Sequence, residues 1–161
     1  MRPHPTTPDD SRFHRRALAL FGASLVSSVL LGGGQPARAA GSPEFRVIVH
    51  AGNVEGVIER GFVADLFLKK ITRWPGGEVI RAVDLRPDSL VRRRFTESIL
   101  KRSVGAVRSY WQQRIFSGRD VPPVELDSED GVVAFVAKYP GAVGYVSGAT
   151  KLVGVRELSI K

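Results

Sequence analysis

From residue 45 onward the apolar positions switch repeatedly between the spacing of strands and the spacing of helices. Phe45-Arg46-Val47-Ile48-Val49-His50 is a β-branched, largely apolar run bounded by Pro43 and Gly52, which predicts a buried strand. From about Gly61 to Lys70, Phe62, Val63, Leu66 and Phe67 recur at three and four residues, the spacing of a helix with one apolar stripe. Trp74-Pro75-Gly76-Gly77 forces a turn, and Val79 to Leu85 predicts a second strand. Pro87-Asp88-Ser89 then supplies a stop and a candidate N-cap, since a serine hydroxyl accepts from the free amides of the next turn. The helix it opens places Val91, Phe95 and Ile99 on one face, with Arg92, Arg93 and Arg94 largely outside it.

Val104, Val107, Trp111 and Ile115 mark a third helix, which Gly118 ends. Pro122-Pro123 makes the following stretch extended, and Asp127-Ser128 can cap a helix from about Glu129 to Tyr139 with Val132, Val133 and Val136 inside. Pro140-Gly141 turns the chain into Ala142 to Val146, a strand expected to be buried on both faces, and Leu152 to Leu158 suggests an edge strand. Strands separated by helices predict an α/β fold: a small mixed sheet with helices packed on it. Only three or four strands are visible, which suits one lobe of a larger architecture better than a complete doubly wound fold.

The amino-terminal part reads differently. Residues 1–16 are polar and end in Arg15-Arg16, and the fifteen residues from Ala17 to Leu31 carry no charge. That run is shorter than the roughly 20 residues of a permanent membrane span. It is followed by Gly32-Gly33-Gly34, Pro36 and the small-residue site Ala37-Arg38-Ala39. Charged start, apolar middle and small-residue site predict a signal peptide over 1–39 and a domain over 40–161, periplasmic or secreted, with no membrane span after cleavage. The Arg15-Arg16 pair is similar to a twin-arginine export signal, although His14 stands where such signals carry a hydroxyl residue, so the export route stays open.

Export changes the meaning of the charge. The chain carries +8 overall; residues 1–39 hold five arginines and two aspartates, a net of +3, which leaves +5 on the remainder. A basic chain invites a nucleic-acid partner; an exported one fits small anions or acidic surfaces better. Cysteine is absent, so stability rests on the hydrophobic core, for which about 120 residues suffice. The chemistry of an enzyme is not visible. His50 is the single histidine after residue 39, the carboxylates are scattered without metal-ligand spacing, and neither a nucleophile elbow nor a glycine-rich phosphate loop occurs. No catalytic residue, metal or cofactor is expected, and Glu129 and Asp130 are explained by the dipole of the helix they begin.

Anion binding asks for less. A strand running into a helix start offers free amides and the positive end of the helix dipole, and an arginine adds a bidentate partner. Asp84-Leu85-Arg86-Pro87-Asp88-Ser89-Leu90-Val91-Arg92 has this layout, with Arg86 and Ser89 flanking the turn, Asp88 between them and Arg92 in the first helical turn.

Four segments in order then resemble one family. Phe62 to Gly77 resembles the "IFLGK…W.dG" segment of the periplasmic phosphate-binding proteins of ABC transporters. The stretch from Val79 through Arg86, Ser89, Arg92 and Phe95 falls where that family has a ligand loop and its following helix. Tyr110-Trp111 and Phe116-Ser117-Gly118 match a "yW…FtG" element, and Pro140 to Val146 resembles its "pGaIGYv" strand. The resemblance implies a lobe of a type II periplasmic binding protein, binding phosphate or a similar oxyanion through Arg86, Asp88, Ser89 and Arg92. It implies an ABC transporter permease or another envelope protein as partner, and a role in uptake or sensing. Two departures accompany it. The domain is about the size of one lobe, and the family's Ser-Gly-Ser-Gly-Thr-like loop is here Pro87-Asp88-Ser89-Leu90-Val91, without the glycine that lets an anion approach the backbone. An alternative left open is an interaction module of the same fold that binds no small ligand. Tyr145 and Trp111 are expected in the core rather than at a ligand.

Overall fold

The structure, a computed structural model, describes residues 45–161; the expected signal peptide lies outside the described residues. Strand β1 (Arg46–His50) and the short β2 (Val57–Ile58) lead into helix α1 (Arg60–Phe67) and strand β3 (Arg81–Leu85). Helix α2 (Leu90–Phe95) continues without a break into a π-helical turn, Thr96–Leu100, and helix α3 (Val104–Phe116) follows. Then come β4 (Val124–Leu126), α4 (Glu129–Lys138), β5 (Ala142–Val146), β6 (Val155–Glu157) and β7 (Ser159–Ile160). Five strands form one mixed sheet in the order β4-β3-β5-β1-β6, and β2 and β7 pair in parallel beside it. The sheet is therefore larger than the three or four strands legible in the sequence.

Strand β5 sits at the centre. It runs parallel to β3, with Arg81 opposite Ala142, and antiparallel to β1, with Val47 opposite Tyr145. All five of its residues are buried, as expected for a strand covered on both faces. Successive side chains of a strand point to opposite faces, and Gly144 and Tyr145 show what covers each. A Cβ at Gly144 would meet Val132 Cγ1 at 2.5 Å and Val136 Cγ2 at 3.3 Å, so α4 rests directly on that face. On the other face the Tyr145 ring stacks on Phe95 at 3.9 Å between centroids, and Phe67 of α1 closes on Phe95 at 4.7 Å. This aromatic cluster fixes α1 and α2 against the sheet, each such contact adding about 0.5–1.5 kcal/mol beyond area burial.

Helix α2 departs from the expected stripe. Arg92, Phe95, Thr96 and Ile99 are the buried positions, whereas Val91 is only half-buried and Arg93 and Arg94 are exposed. Trp111 and Val107 of α3 are buried as expected, but Ile115 is half exposed. Among the described residues no helix is long and apolar enough to cross a membrane.

Candidate functional site

The turn after β3 is held from both sides. The Arg86 N–H donates to the carbonyl of Leu126 at 3.2 Å, which ties the turn to the end of the parallel neighbour β4. The Ser89 N–H closes the turn on the carbonyl of Arg86 at 3.0 Å. Ser89 has extended backbone angles, and its Oγ accepts from the Arg92 N–H at 3.3 Å, so it is the N-cap expected of it. The capping bond takes one of the free amides at the start of α2; those of Leu90 and Val91 have no intrahelical acceptor. The turn lies at the carboxyl end of β3, the end of open α/β sheets at which ligands gather.

Arg86 stands over this turn with 57 % of its side chain exposed. Its Nε is 3.6 Å from Asp88 Oδ1 and its Nη1 is 3.6 Å from Asp127 Oδ1, with both carboxylates largely in solvent. Separations of that size between exposed groups are loose ion pairs worth about 0–1 kcal/mol. The Arg86 guanidinium is thus free to exchange partners. Arg86, Asp88 and Ser89 occupy one turn, as their spacing implied.

Arg92 has a different position. Its side chain is 6 % exposed and points under the turn, where Nη2 meets Asp84 Oδ2 at 3.1 Å and Nη1 meets Glu125 Oε1 at 2.6 Å. Nη1 also donates to the carbonyl of Leu85. Asp84 and Glu125 face one another across the β3–β4 ladder, so one guanidinium bridges two neighbouring carboxylates. The Tyr145 hydroxyl donates to Asp84 Oδ1, which also accepts from the Leu85 N–H at 3.0 Å. Burial pushes the Asp84 carboxyl above the ordinary carboxylate range, against the pull of Arg92 and of these hydrogen bonds. Burial and the adjacent Asp84 carboxylate also drive the Tyr145 hydroxyl upward, which keeps it a donor. Sequence reasoning missed this network, although an aspartate inside the apolar strand Ala82-Val83-Asp84-Leu85 was a signal that a cation must reach it.

Two other residues singled out in the sequence have local structural roles. His50 accepts at Nδ1 from the Gly52 N–H at 3.0 Å and serves the turn that follows β1. Glu129 does more than complement a helix dipole: Oε2 accepts from the Ser147 N–H at 2.7 Å and from Thr150 Oγ1, and so pins the loop after β5 to the start of α4. Partial burial opposes ionisation of Glu129, and the bonds from Thr150 and Ser147 overcome it, so its pKa lies below the usual glutamate value. A depressed pKa adds stability above the unfolded value, which is lost as pH falls through the folded one. Glu129→Gln should therefore lower the unfolding free energy from urea titration by about 1 kcal/mol at neutral pH and leave it close to wild type in strong acid. Equal losses at both pH values would show that the carboxylate charge is not what holds the loop.

Between α3 and β4 lies a hollow of about 370 Å³, walled by Trp111, Ile115, Pro122 and Pro87, with Arg108 and Gln112 on its α3 side. Pro87 belongs to the candidate turn and Arg92 and Glu125 form part of the floor, so hollow and turn adjoin.

No family model and no curated protein matches the sequence. Solved structures do match. A phosphate transport receptor of an ABC system from Vibrio cholerae superposes with a TM-score of 0.57 at 17 % identity, over 73 % of this chain and 46 % of its own. A putative phosphate ABC transporter substrate-binding protein from Clostridium perfringens, solved with bound phosphate, gives 0.58 at 21 % identity, over 73 % and 44 %. PstS from Borrelia burgdorferi gives 0.54 at 11 % identity, over 73 % and 47 %. The chain shares the fold of part of each of these receptors. It spans less than half the length of each of these proteins. This likeness of fold agrees with the resemblance carried by the four ordered segments, and the mixed sheet with packed helices is the α/β arrangement that the alternation of strands and helices predicted.

Proposed function

We propose that this protein is an exported solute-binding protein that takes phosphate or a similar oxyanion at the turn from Arg86 to Val91, in an ABC-type uptake or sensing system. The observation that carries the reading is the pairing of the unclaimed Leu90 and Val91 amides with Arg86, whose two ion pairs are long and exposed. An oxyanion would replace Asp88 and Asp127 on the guanidinium and accept from the amides. Asp88, displaced, is placed to accept a proton-bearing oxygen, which favours hydrogen phosphate over sulfate. Ser89 holds the amides in position. Arg92 is a support rather than a ligand contact: its guanidinium is engaged by Asp84, Glu125 and Leu85 and fixes α2 to β3 beneath the turn. Non-catalytic binding suits this site, which offers positioned donors and no nucleophile with a base beside it.

An open turn buries little of its ligand, so one copy of the domain should bind weakly, with a Kd on the order of millimolar. Titration of the protein with phosphate at constant ionic strength should move the Leu90 and Val91 amide resonances, and sulfate should move them less. Arg86→Ala should weaken the effect about tenfold, the loss expected for a charge-assisted contact. Resonances that stay still at saturating phosphate would remove the reading, and stable capture of an envelope protein together with that silence would favour an interaction module.

A further inference from the structure

The hollow between α3 and β4 is a second place where the molecule presents unsatisfied chemistry. We propose that it binds a small organic anion carrying a flat apolar group, a compact aromatic carboxylate or phosphate monoester, independently of the anion turn. Val104, Arg108, Trp111 and Ile115 succeed one another on one face of α3 at spacings of four, three and four, and with Gln112 beside Trp111 all line the hollow. The apolar spacing of this helix therefore serves two purposes: Val107 is buried in the protein, while Ile115 is 50 % exposed at the wall of a cavity. Opposite, Pro87 and Pro122 present rigid apolar surfaces.

The polar groups decide the ligand class. Arg108 has no hydrogen-bond or ion-pair partner among the described residues, and the Nε1–H of Trp111 donates to none of them. On the floor, Arg92 is already engaged by Glu125 and Asp84, so the charge offered to a ligand is that of Arg108. A guanidinium takes a carboxylate or phosphate bidentately, and an indole beside it takes an aromatic edge or face. About 370 Å³ is at the small end of the roughly 300–1,000 Å³ range of ligand pockets, which limits the guest to one ring and its anionic group. Arg86 and Ser89 are not part of the lining.

The two tryptophans of the chain provide the readout. Trp74 Nε1 is buried and donates to the carbonyl of Gly141 at 3.0 Å, so its indole resonance is an internal control. Phenyl phosphate and benzoate should each shift the Trp111 indole N–H, identified by its loss in Trp111→Phe, and leave that of Trp74 in place. Inorganic phosphate and benzyl alcohol should bind here at least about tenfold more weakly than phenyl phosphate, since each lacks one half of the contact. Arg108→Gln, at an exposed position, should keep the wild-type unfolding midpoint and weaken phenyl phosphate about tenfold without changing benzyl alcohol. A Trp111 resonance unmoved at the solubility limit of both aromatic anions would overturn the proposal, as would equal shifts at Trp74 or an affinity indifferent to Arg108→Gln. Failure of the anion turn would instead be read at the Leu90 and Val91 amides.

Discussion

Arg92→Ala is expected to destabilise the domain by about 3–5 kcal/mol, the range for removing one partner of a buried ion pair. Small domains have roughly 5–15 kcal/mol in all, so a large part of the fold's stability hangs on this side chain. The reason lies in what remains. Asp84 would sit buried with the Tyr145 hydroxyl and the Leu85 amide as donors and no cation, and Glu125 would lose its tie across the β3–β4 ladder. Acid should rescue the variant. Burial already raises the Asp84 pKa in the folded protein, so the folded state holds this proton more tightly than the unfolded one. The corresponding contribution is present below the unfolded value and is lost as pH rises through the folded one. Without Arg92 the folded pKa rises further, and the deficit measured by urea unfolding should shrink between neutral pH and mildly acidic pH. Asp84→Asn combined with Arg92→Met should recover much of the loss, since it removes both buried charges. A deficit that is the same at every pH would mean that lost packing of the arginine stem, not the stranded carboxylate, is the cause.

The same residue shows where sequence patterning stops. Val91, Phe95 and Ile99 form a good apolar stripe, yet the buried face is Arg92, Phe95, Thr96 and Ile99, at spacings of three and four. Hydrophobicity selected Val91 because a buried arginine and threonine are invisible to it; only the carboxylates of β3 and β4 explain why the helix turns that face inward. Strands β1 and β5 were legible because each is a continuous β-branched or fully apolar run bounded by Pro or Gly. The two-residue β2 and β7 have no local signature, and β4 is exposed along most of its length, so it lacked the alternation that marks a strand. At the candidate turn the N-cap chemistry of Ser89 is a local property and was readable; the inward course of Arg92 depends on a partner, Glu125, 33 residues downstream and was not. Glu129 makes the same point, since its bonds to Ser147 and Thr150 join segments that only the completed sheet brings together.

Gly141→Ala is the second substitution expected to have a large effect, and it acts far from any site. Gly141 opens β5 with φ at +72°, a conformation that L side chains rarely adopt. A Cβ there would also lie 2.1 Å from the carbonyl oxygen of Val79, a backbone atom that cannot rotate away. Its own carbonyl accepts twice, from Trp74 Nε1 and from the Arg81 N–H, each at 3.0 Å, so the turn of 74–79, the start of β3 and the start of β5 meet at this one peptide. Strain of a left-handed residue is about 1–3 kcal/mol and a steric intrusion into packed structure adds about 1–3 more, for a total of roughly 2–6. The expected signature is a fall in the urea midpoint together with loss of protection of the Trp74 indole N–H from hydrogen exchange, because any movement that frees the Cβ must pull the Gly141 carbonyl off the indole. Wild-type protection of that proton in Gly141→Ala would show that the Val79 segment yields instead, and that the β3–β5 junction is softer than its hydrogen bonds imply.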